Sequence, residues 1–180
     1  MKFPQKFPTI KVSKYLLRET KKGDAKFYYA SLTDKETIKY TSYNVKSVND
    51  IEKWFQDYKK QFKETKRISW AIEDTETKNV IGEVSFFDVQ VDHEKGEIGY
   101  FLTKKYWGQG IMSEILEKVI SYLFHDLQLN RLQSIVMEKN LGSRRLLEKN
   151  EFKQEGILFK YKRCRSKYFD FILYSKLAKG

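Results

Sequence analysis

GEIGYFLTKKYWGQGIMSEILEKVISYLF, the stretch from Gly96 to Phe124, combines a strand-like run, a turn with two glycines and a long amphipathic helix. Gly108 and Gly110 lie two residues apart in the turn, where they let the backbone pass close to a ligand and adopt positive φ. The helix that begins there leaves its first N–H groups unpaired and directed into the turn. The stretch therefore predicts a site for a phosphate group, and with it an anionic cofactor.

Length and composition predict one folded domain over residues 1–180, because 41% of the residues are hydrophobic and 16% are aromatic. No apolar run approaches the ~20 residues that cross a bilayer, and the N-terminus lacks the apolar centre of a signal peptide. We therefore expect a cytoplasmic protein with no membrane partner. Cys164 is the only cysteine and the chain has 2 histidines, which argues against an internal disulfide and against a metal site.

The chain is strongly basic, with 35 Lys and Arg against 24 Asp and Glu and a net charge of +11. Such a field attracts phosphates, acidic proteins or nucleic acid, but a lysine-rich surface that serves only solubility has the same composition. The lysines are spread along the whole chain without a basic block. We therefore favour the solubility interpretation and do not expect nucleic acid as a direct ligand.

The first half of the chain predicts two helices and an antiparallel meander. Gly23 and Asp24 open a first helix, and a second runs from Ser47 to Phe62, where Ser47 and Asp50 have capping-box spacing. The predicted strands are Tyr15–Arg18, Ile68–Glu73, Val80–Asp88 and Glu97–Thr103, with the turn DTETKN and a loop around residues 93–96 between them.

The second half predicts a strand–helix–strand unit followed by closing strands. Apolar residues recur at helical spacing from Ile111 to Leu127, with Glu114 and Lys118 placed to pair on the outer face. Further predicted elements are a buried strand at Leu132–Met137, a helix at Asn140–Lys149, and strands at Gly156–Tyr161 and Lys167–Tyr174. Together the elements predict a mixed α/β fold, with a central, mostly antiparallel sheet flanked by helices.

At these residues the sequence resembles the GNAT superfamily of acyl-CoA-dependent N-acetyltransferases, and within it the Rim-type group that acetylates ribosomal-protein N-termini. The likeness covers nearly the whole chain, through YLLRETKKGDA, NVIGEVSF, GEIGYFLTKKYWGQGIMSE, LNRLQSIVMEKNLGSRRLLEKNEF and EGILFKYKRCRSKYFDFILYSKL. The resemblance implies the GNAT fold and acetyl-CoA as cosubstrate. Gly-x-Gly alone is a weak signal, but several ordered segments at family-like spacing are a strong one.

The resemblance also implies a set of cofactor-binding residues. The family's pyrophosphate signature falls on Lys105 to Gly110, with Lys105 in the place of the usual Gln or Arg. The backbone donors from Gly108 to Met112 matter more than that side chain, because they and the helix dipole attract the diphosphate. The expected diphosphate-binding residues are Lys105, Trp107, Gly108, Gln109, Gly110, Ile111 and Met112.

Two more segments are expected to contact the cofactor. Tyr100, Phe101 and Leu102 occupy the strand that splays from its neighbour in this superfamily and pairs with the pantetheine arm; the alternative is an ordinary buried strand. Asn140 matches a cofactor-contacting Asn of the family, with Ser143 three residues later, and the alternative is an ordinary N-cap.

For chemistry, the resemblance implies direct attack of a neutral amine on the acetyl thioester. Glu97, at the head of the strand beside the cofactor, is our first candidate for the base, and Glu83 on the neighbouring strand is the second. A carboxylate becomes an adequate base if burial raises its pKa or a water relays the proton, and an outward-facing strand carboxylate is the alternative. The expected acceptor is a primary amine, either a peptide N-terminus or a small amine.

The sequence departs from the family pattern at two further positions. Leu147 occupies the place of the tyrosine that serves as general acid in many GNAT enzymes. The possible substitutes are Tyr40, Tyr43, Tyr161 and Tyr168, for each of which core packing or pocket lining is the alternative. Glu151 stands where the family usually has glycine, and we expect Asn150 to take the left-handed turn instead.

A second class of function therefore stays open beside the enzyme. The missing tyrosine and the positive charge are also compatible with a catalytically weak CoA- or RNA-binding module on a GNAT scaffold. A homodimer is compatible with the resemblance, since family members are often dimers.

Overall fold

The computed structural model describes residues 1–41, 43–164 and 166–178, and its described strands form one eight-stranded sheet in the order β1-β2-β3-β4-β5-β6-β8-β7. The strands are β1 Ile10–Val12, β2 Tyr15–Glu19, β3 Ile68–Asp74, β4 Val80–Gln90, β5 Lys95–Leu102, β6 Arg131–Met137, β7 Lys153–Cys164 and β8 Lys167–Leu177. The helices are α1 Ala25–Thr33, α2 Val48–Lys63, α3 Ile111–Ser121 and α4 Leu141–Lys149. None of the helices in these residues is long and apolar enough to span a bilayer.

The topology confirms the mixed, mostly antiparallel sheet. Strands β1 to β5 pair antiparallel in chain order, which is the predicted meander with one added strand, β1, that the sequence did not reveal. Helix α3 then crosses over, so that β6 pairs parallel with β5. Strand β8 pairs antiparallel with β6 and with β7, so that β7 forms the far edge of the sheet.

The helix caps follow the local sequence closely. At the start of α2 the Ser47 side chain accepts from the Asp50 N–H, and the Asp50 carboxylate accepts from the Ser47 N–H, which confirms the capping box.

The predicted pair between Glu114 and Lys118 is wrong, because Glu114 instead accepts a hydrogen bond from Ser13 Oγ. This contact depends on the strand β1 that packs beside α3.

The apolar stripe of α3 does not continue as one α-helix to Leu127, as the periodicity predicts. The α-helix ends at Ser121, and residues 122–126 form a π-helical turn that closes with the Leu127 N–H donating to the Tyr122 carbonyl at 3.1 Å. Leu123, Leu127 and Leu129 are all buried. The wider turn thus keeps the apolar residues inside, although the helical period has changed.

Each face of the sheet has its own core. Helix α3 packs with Trp70, Phe86 and Ile98 in a large cluster on one face. Helices α1 and α2 cover part of the other face, where Tyr28 and Phe55 pack against Phe101 and Tyr28 meets both rings edge-on. This second face is the one that Glu83 and Glu97 share, since side chains two or four apart on paired strands lie on the same side.

The end of α4 corrects one prediction. Asn150 has φ −87°, and Glu151 itself takes the left-handed turn with φ 65°. The Phe152 N–H donates to the Leu147 carbonyl at 3.1 Å, which is the six-residue closure of a Schellman motif. Both Phe152 and Leu147 are buried, so their packing fixes the register of this closure and forces the positive φ onto Glu151.

Candidate active site

The gap between β5 and β6 is the first feature of the site. The two strands are paired through Glu97 and Gln133 and no further, so β5 diverges from β6 over its last residues. The Ile98 carbonyl faces β6, where it accepts from Ser134 Oγ at 2.9 Å. Because backbone groups alternate along a strand, the N–H and C=O of Tyr100 face the opened gap. They are free to pair with an extended amide chain such as pantetheine.

A cavity of ≈ 450 Å³ adjoins this gap. Most of the residues that the sequence assigned to the cofactor line it: Tyr100, Phe101, Leu102, Trp107, Gly108, Gly110, Ile111, Met112, Asn140 and Ser143. Lys105 and Gln109 are not among its lining residues. The Lys105 ammonium lies 4.8 Å from the centre of the Tyr106 ring, and Gln109 Nε2 donates to the Lys105 carbonyl at 2.9 Å.

The glycine turn has the conformation that an anion site needs. Gly108 and Gly110 have φ of +74° and +78°, and both are exposed. Within the described part of the chain, the N–H groups from Gly108 to Met112 have no protein acceptor. They stand at the N-terminus of α3, whose dipole adds partial positive charge. The turn is therefore an open, unneutralised cluster of donors at one end of the cavity.

Helix α4 supplies the opposite wall. Asn140 Oδ1 accepts from the Ser143 N–H at 3.2 Å, so Asn140 is the N-cap of this helix and a lining residue of the cavity at the same time. The Ser143 and Tyr100 hydroxyls share a hydrogen bond of 2.8 Å, which joins α4 to β5 across the gap. Arg144 turns away from the cavity and donates to the Tyr174 hydroxyl and the Glu138 carbonyl.

Sequence reasoning missed part of the cavity wall. Thr37, Tyr40 and Thr41, from the segment between α1 and α2, line it, and of these the sequence indicates only Tyr40, as a pocket residue or a substitute acid. Their place depends on how this segment folds back over β5, as shown by the Lys104 N–H, which donates to Thr37 Oγ1 at 3.3 Å. Ser113, Gly142 and Leu146 also line the cavity, and their proximity to the assigned motifs was the available signal.

Glu97 lies where the two strands begin to diverge. It faces Phe87 on β4 and Gln133 on β6 and is half-buried. Burial raises the pKa of the Glu97 carboxyl, while the nearby Lys162 ammonium and a hydrogen bond from Gln133 act in the opposite direction. A carboxylate whose pKa is raised toward neutrality is a better proton acceptor than a solvated one.

Glu83 has a different environment and does not line the cavity. Its side chain is buried beside Tyr28, and Oε1 accepts from Ser85 Oγ at 2.8 Å. Within the described residues, neither Glu83 Oε2 nor the Tyr28 hydroxyl has a hydrogen-bond partner. Burial raises the pKa of Glu83, against the opposing effect of the hydrogen bond from Ser85. Glu83 pairs with Phe101 on β5, and Phe101 is four residues from Glu97, so the two glutamates are separated by about 13 Å along the strand.

We expect the substitution Glu83→Gln to increase stability at alkaline pH. The pKa of Glu83 is higher in the folded than in the unfolded protein. Its contribution to the free energy of unfolding is therefore fully present below its pKa in the unfolded chain, and is lost as the pH rises through its pKa in the folded protein. The neutral amide keeps the bond from Ser85 and carries no buried charge. The expected gain is about 1–2 kcal/mol at pH 8 and near zero at pH 4.

Urea unfolding at both pH values measures this difference. Glu117→Gln makes the same substitution at an exposed residue of α3 and is the matched control, which should have nearly the same effect at both pH values. An equal effect of Glu83→Gln at both pH values would contradict a raised pKa at this position.

The tyrosines considered as substitutes for the general acid are widely separated. Tyr40 lines the cavity, whereas Tyr43 is 39% exposed and packs on Trp54 and Phe101. Tyr161 and Tyr168 are exposed on the hairpin of β7 and β8. Leu147, at the family's tyrosine position, is fully buried. In residues 1–41, 43–164 and 166–178, no three His, Cys, Asp or Glu side chains cluster as a metal site would require.

The fold and the site together define an N-acetyltransferase, and comparison with known proteins identifies its family. The chain belongs to the GNAT family, because the family model described as Acetyltransferase (GNAT) domain matches residues 14–153. The uncharacterized N-acetyltransferase YoaA of Bacillus subtilis (strain 168) is 32% identical over 170 residues, which are 94% of this chain and 96% of YoaA.

Two solved structures show the same fold at lower identity. RimL, a ribosomal alpha-N-protein acetyltransferase in complex with coenzyme A, has a TM-score of 0.86 and 19% identity, over 95% of this chain and 98% of that chain. Spermidine N-acetyltransferase from Vibrio cholerae, in complex with CoA and spermine, has a TM-score of 0.81 and 22% identity, over 92% and 96% of the two chains.

Proposed function

We propose that this protein transfers the acetyl group of acetyl-CoA to a primary amine, and that the amine is the N-terminal α-amine of a peptide or protein. The observation that supports the cosubstrate is the run of unpaired N–H groups from Gly108 to Met112 beside an open strand gap. These donors fit a diphosphate, and the gap fits the amide-bearing arm that follows it in coenzyme A. RimL and the Vibrio cholerae enzyme were both solved with CoA bound.

The reaction is direct attack within a complex of both substrates. With the diphosphate at the glycine turn and the arm along Tyr100, the thioester lies toward the start of the gap, which is marked by the last pair, Glu97 and Gln133. Glu97 accepts a proton from the amine, directly or through one water, as the nitrogen attacks the thioester carbon. The tetrahedral intermediate then expels the CoA thiolate, which is a good leaving group because thiol pKa values lie near ~8.5.

The choice of an α-amine follows from the cost of deprotonation. An α-amine with a pKa of about 7.7–8.0 loses its proton at pH 7 at a cost of roughly 1–1.4 kcal/mol, whereas a lysine near 10.4 costs about 4.6 kcal/mol. A single carboxylate base suits the first case better. A polyamine, the substrate of the Vibrio cholerae enzyme by its description, is disfavoured by the net charge of +11.

A thiol-release assay with acetyl-CoA and a panel of amines tests the proposal. We expect peptides with free N-termini to release CoA faster than spermidine, free amino acids or an N-terminally blocked peptide with an internal lysine. Acetyl-CoA alone should raise the melting temperature, because it binds the folded state. A panel in which only the polyamine or the blocked peptide is acetylated would overturn the proposed acceptor, and absence of both thiol release and thermal shift would overturn the proposed cosubstrate.

A further inference from the structure

The hairpin of β7 and β8 exposes large aromatic side chains at the edge of the sheet. Phe159 is 77% exposed and Tyr168 is 63% exposed, values that are unusual for rings of this size. Ile157 and Tyr161 on β7 are also exposed. Clustered exposed apolar residues of this kind mark an interaction surface more often than single ones do.

A β-bulge fixes the direction of this surface. Leu158 pairs with Phe171 and Lys162 with Phe169, so β7 uses four residue steps where β8 uses two. Lys160, inside the bulge, has φ +48°, and its N–H donates to Asp170 Oδ1 at 2.7 Å. The bulge is therefore held by a specific side chain and directs Phe159 into solvent.

The same tip carries four cationic side chains that form no ion pair with the described residues. No carboxylate oxygen of the described residues lies within 4.0 Å of the Lys160, Lys162, Arg163 or Lys167 cationic group. The Lys162 ammonium rests 5.3 Å from the Tyr161 ring centre and 5.7 Å from that of Phe171. We refer to Phe159–Arg163 together with Lys167 and Tyr168 as the basic hairpin.

The basic hairpin borders the candidate active site. The Lys162 ammonium lowers the pKa of Glu97 by its charge, so this part of the hairpin lies in the neighbourhood of the proposed base. Tyr40, which lines the cavity, packs against the cluster of Met137, Cys164 and Phe171, and Cys164 belongs to the last pair before the hairpin turn. A chain leaving the groove at Glu97 would therefore pass over the basic hairpin.

We propose that the basic hairpin is a docking surface for an acidic segment of the acetyl acceptor, which lies a few residues beyond the N-terminal amine that enters the groove. This proposal rests on the proposed function. Acidic side chains match the uncompensated cations, and the exposed rings supply apolar contacts of the kind found at interfaces. A second copy of this chain fits poorly, because a symmetric contact would place like charges against each other. Nucleic acid brings no basic primary amine to Glu97.

The test uses two short peptides with the same first residues, followed by either glutamates or glutamines. Binding of each labelled peptide is followed by fluorescence anisotropy in the presence of CoA, and kcat/KM is measured by thiol release with acetyl-CoA. We expect the glutamate peptide to be preferred about tenfold at low ionic strength, mainly through KM, and the preference to shrink with added salt.

Charge reversal on the hairpin should remove this preference. Arg163→Glu combined with Lys167→Glu changes two exposed residues on β7 and β8, whereas Lys6→Glu combined with Lys11→Glu makes the same charge change at the opposite edge of the sheet. We expect the glutamate-to-glutamine ratio to fall to about one in the hairpin variant and to persist in the control variant.

Several outcomes would overturn the docking surface. These are equal binding of the two peptides, a preference that survives in the hairpin variant, or displacement of the glutamate peptide by a single-stranded RNA that binds more tightly. Anisotropy needs no turnover, so it decides on docking even if neither peptide is acetylated. Failure of the proposed function would instead show as missing thiol release from the glutamine peptide and from every other amine.

Discussion

Gly110→Asp is expected to weaken acetyl-CoA binding by about a hundredfold and to leave the fold intact. Gly110 is the residue before α3 with φ +78°, and a Cβ added there meets no atom within 4 Å. Aspartate tolerates the left-handed region and caps helices well, so the backbone can keep its path. Its carboxylate, however, lies among the N–H groups assigned to the diphosphate. Like charges about 4 Å apart repel by up to about 4 kcal/mol at an effective dielectric of 20.

Gly110→Asn is the matched control for this prediction, since it has the same shape and the same backbone cost without the charge. Titration calorimetry with CoA should give a large loss of affinity for the aspartate variant and a small one for the asparagine variant, while urea unfolding gives similar stabilities for the two. Equal affinities for CoA would show that the diphosphate does not lie at this turn, and the proposed cosubstrate would lose its main support.

The parts of the fold and of the candidate site that the sequence predicts are those set by residues close together in the chain. The glycine turn, the Ser47–Asp50 capping box and the Asn140 cap each depend on a span of a few residues, and the structure shows all three conformations. Asn140 shows why sequence alone does not decide between a structural and a binding role, because this one side chain both caps α4 and lines the cavity.

The parts that the sequence does not predict depend on contacts between distant segments. Thr37 and Thr41 reach the cavity only because the segment after α1 folds over β5, and Lys162 approaches Glu97 only because β7 and β8 form the edge beyond β6. The left-handed turn at Glu151 is a similar case. Asparagine adopts positive φ more readily than glutamate does, which favours Asn150 for this turn, but the burial of Phe152 decides the register of the helix end. Packing prevails over local preference at each of these positions.

Glu97→Gln is expected to lower kcat at pH 7 by at least about a hundredfold, the usual contribution of a general base, with little change in the KM for acetyl-CoA. Glu97 lies at the last pair before the strand gap, where the thioester of a cofactor seated at the glycine turn would end. A base must be ionised to accept a proton, so the wild-type rate should rise with pH through the pKa of Glu97, which burial raises. The glutamine variant should lack this rise.

Two controls separate this role from a structural one. Asp88 raises the pKa of Glu97 by its charge, so Asp88→Asn should move the rise in rate to lower pH without lowering the maximal rate. Glu83→Gln removes the other carboxylate of the same face, but its side chain is buried and does not line the cavity. If Glu97→Gln leaves turnover and its pH profile unchanged while Glu83→Gln abolishes it, the proton acceptor is Glu83, and the acceptor amine must reach about 13 Å further along β5.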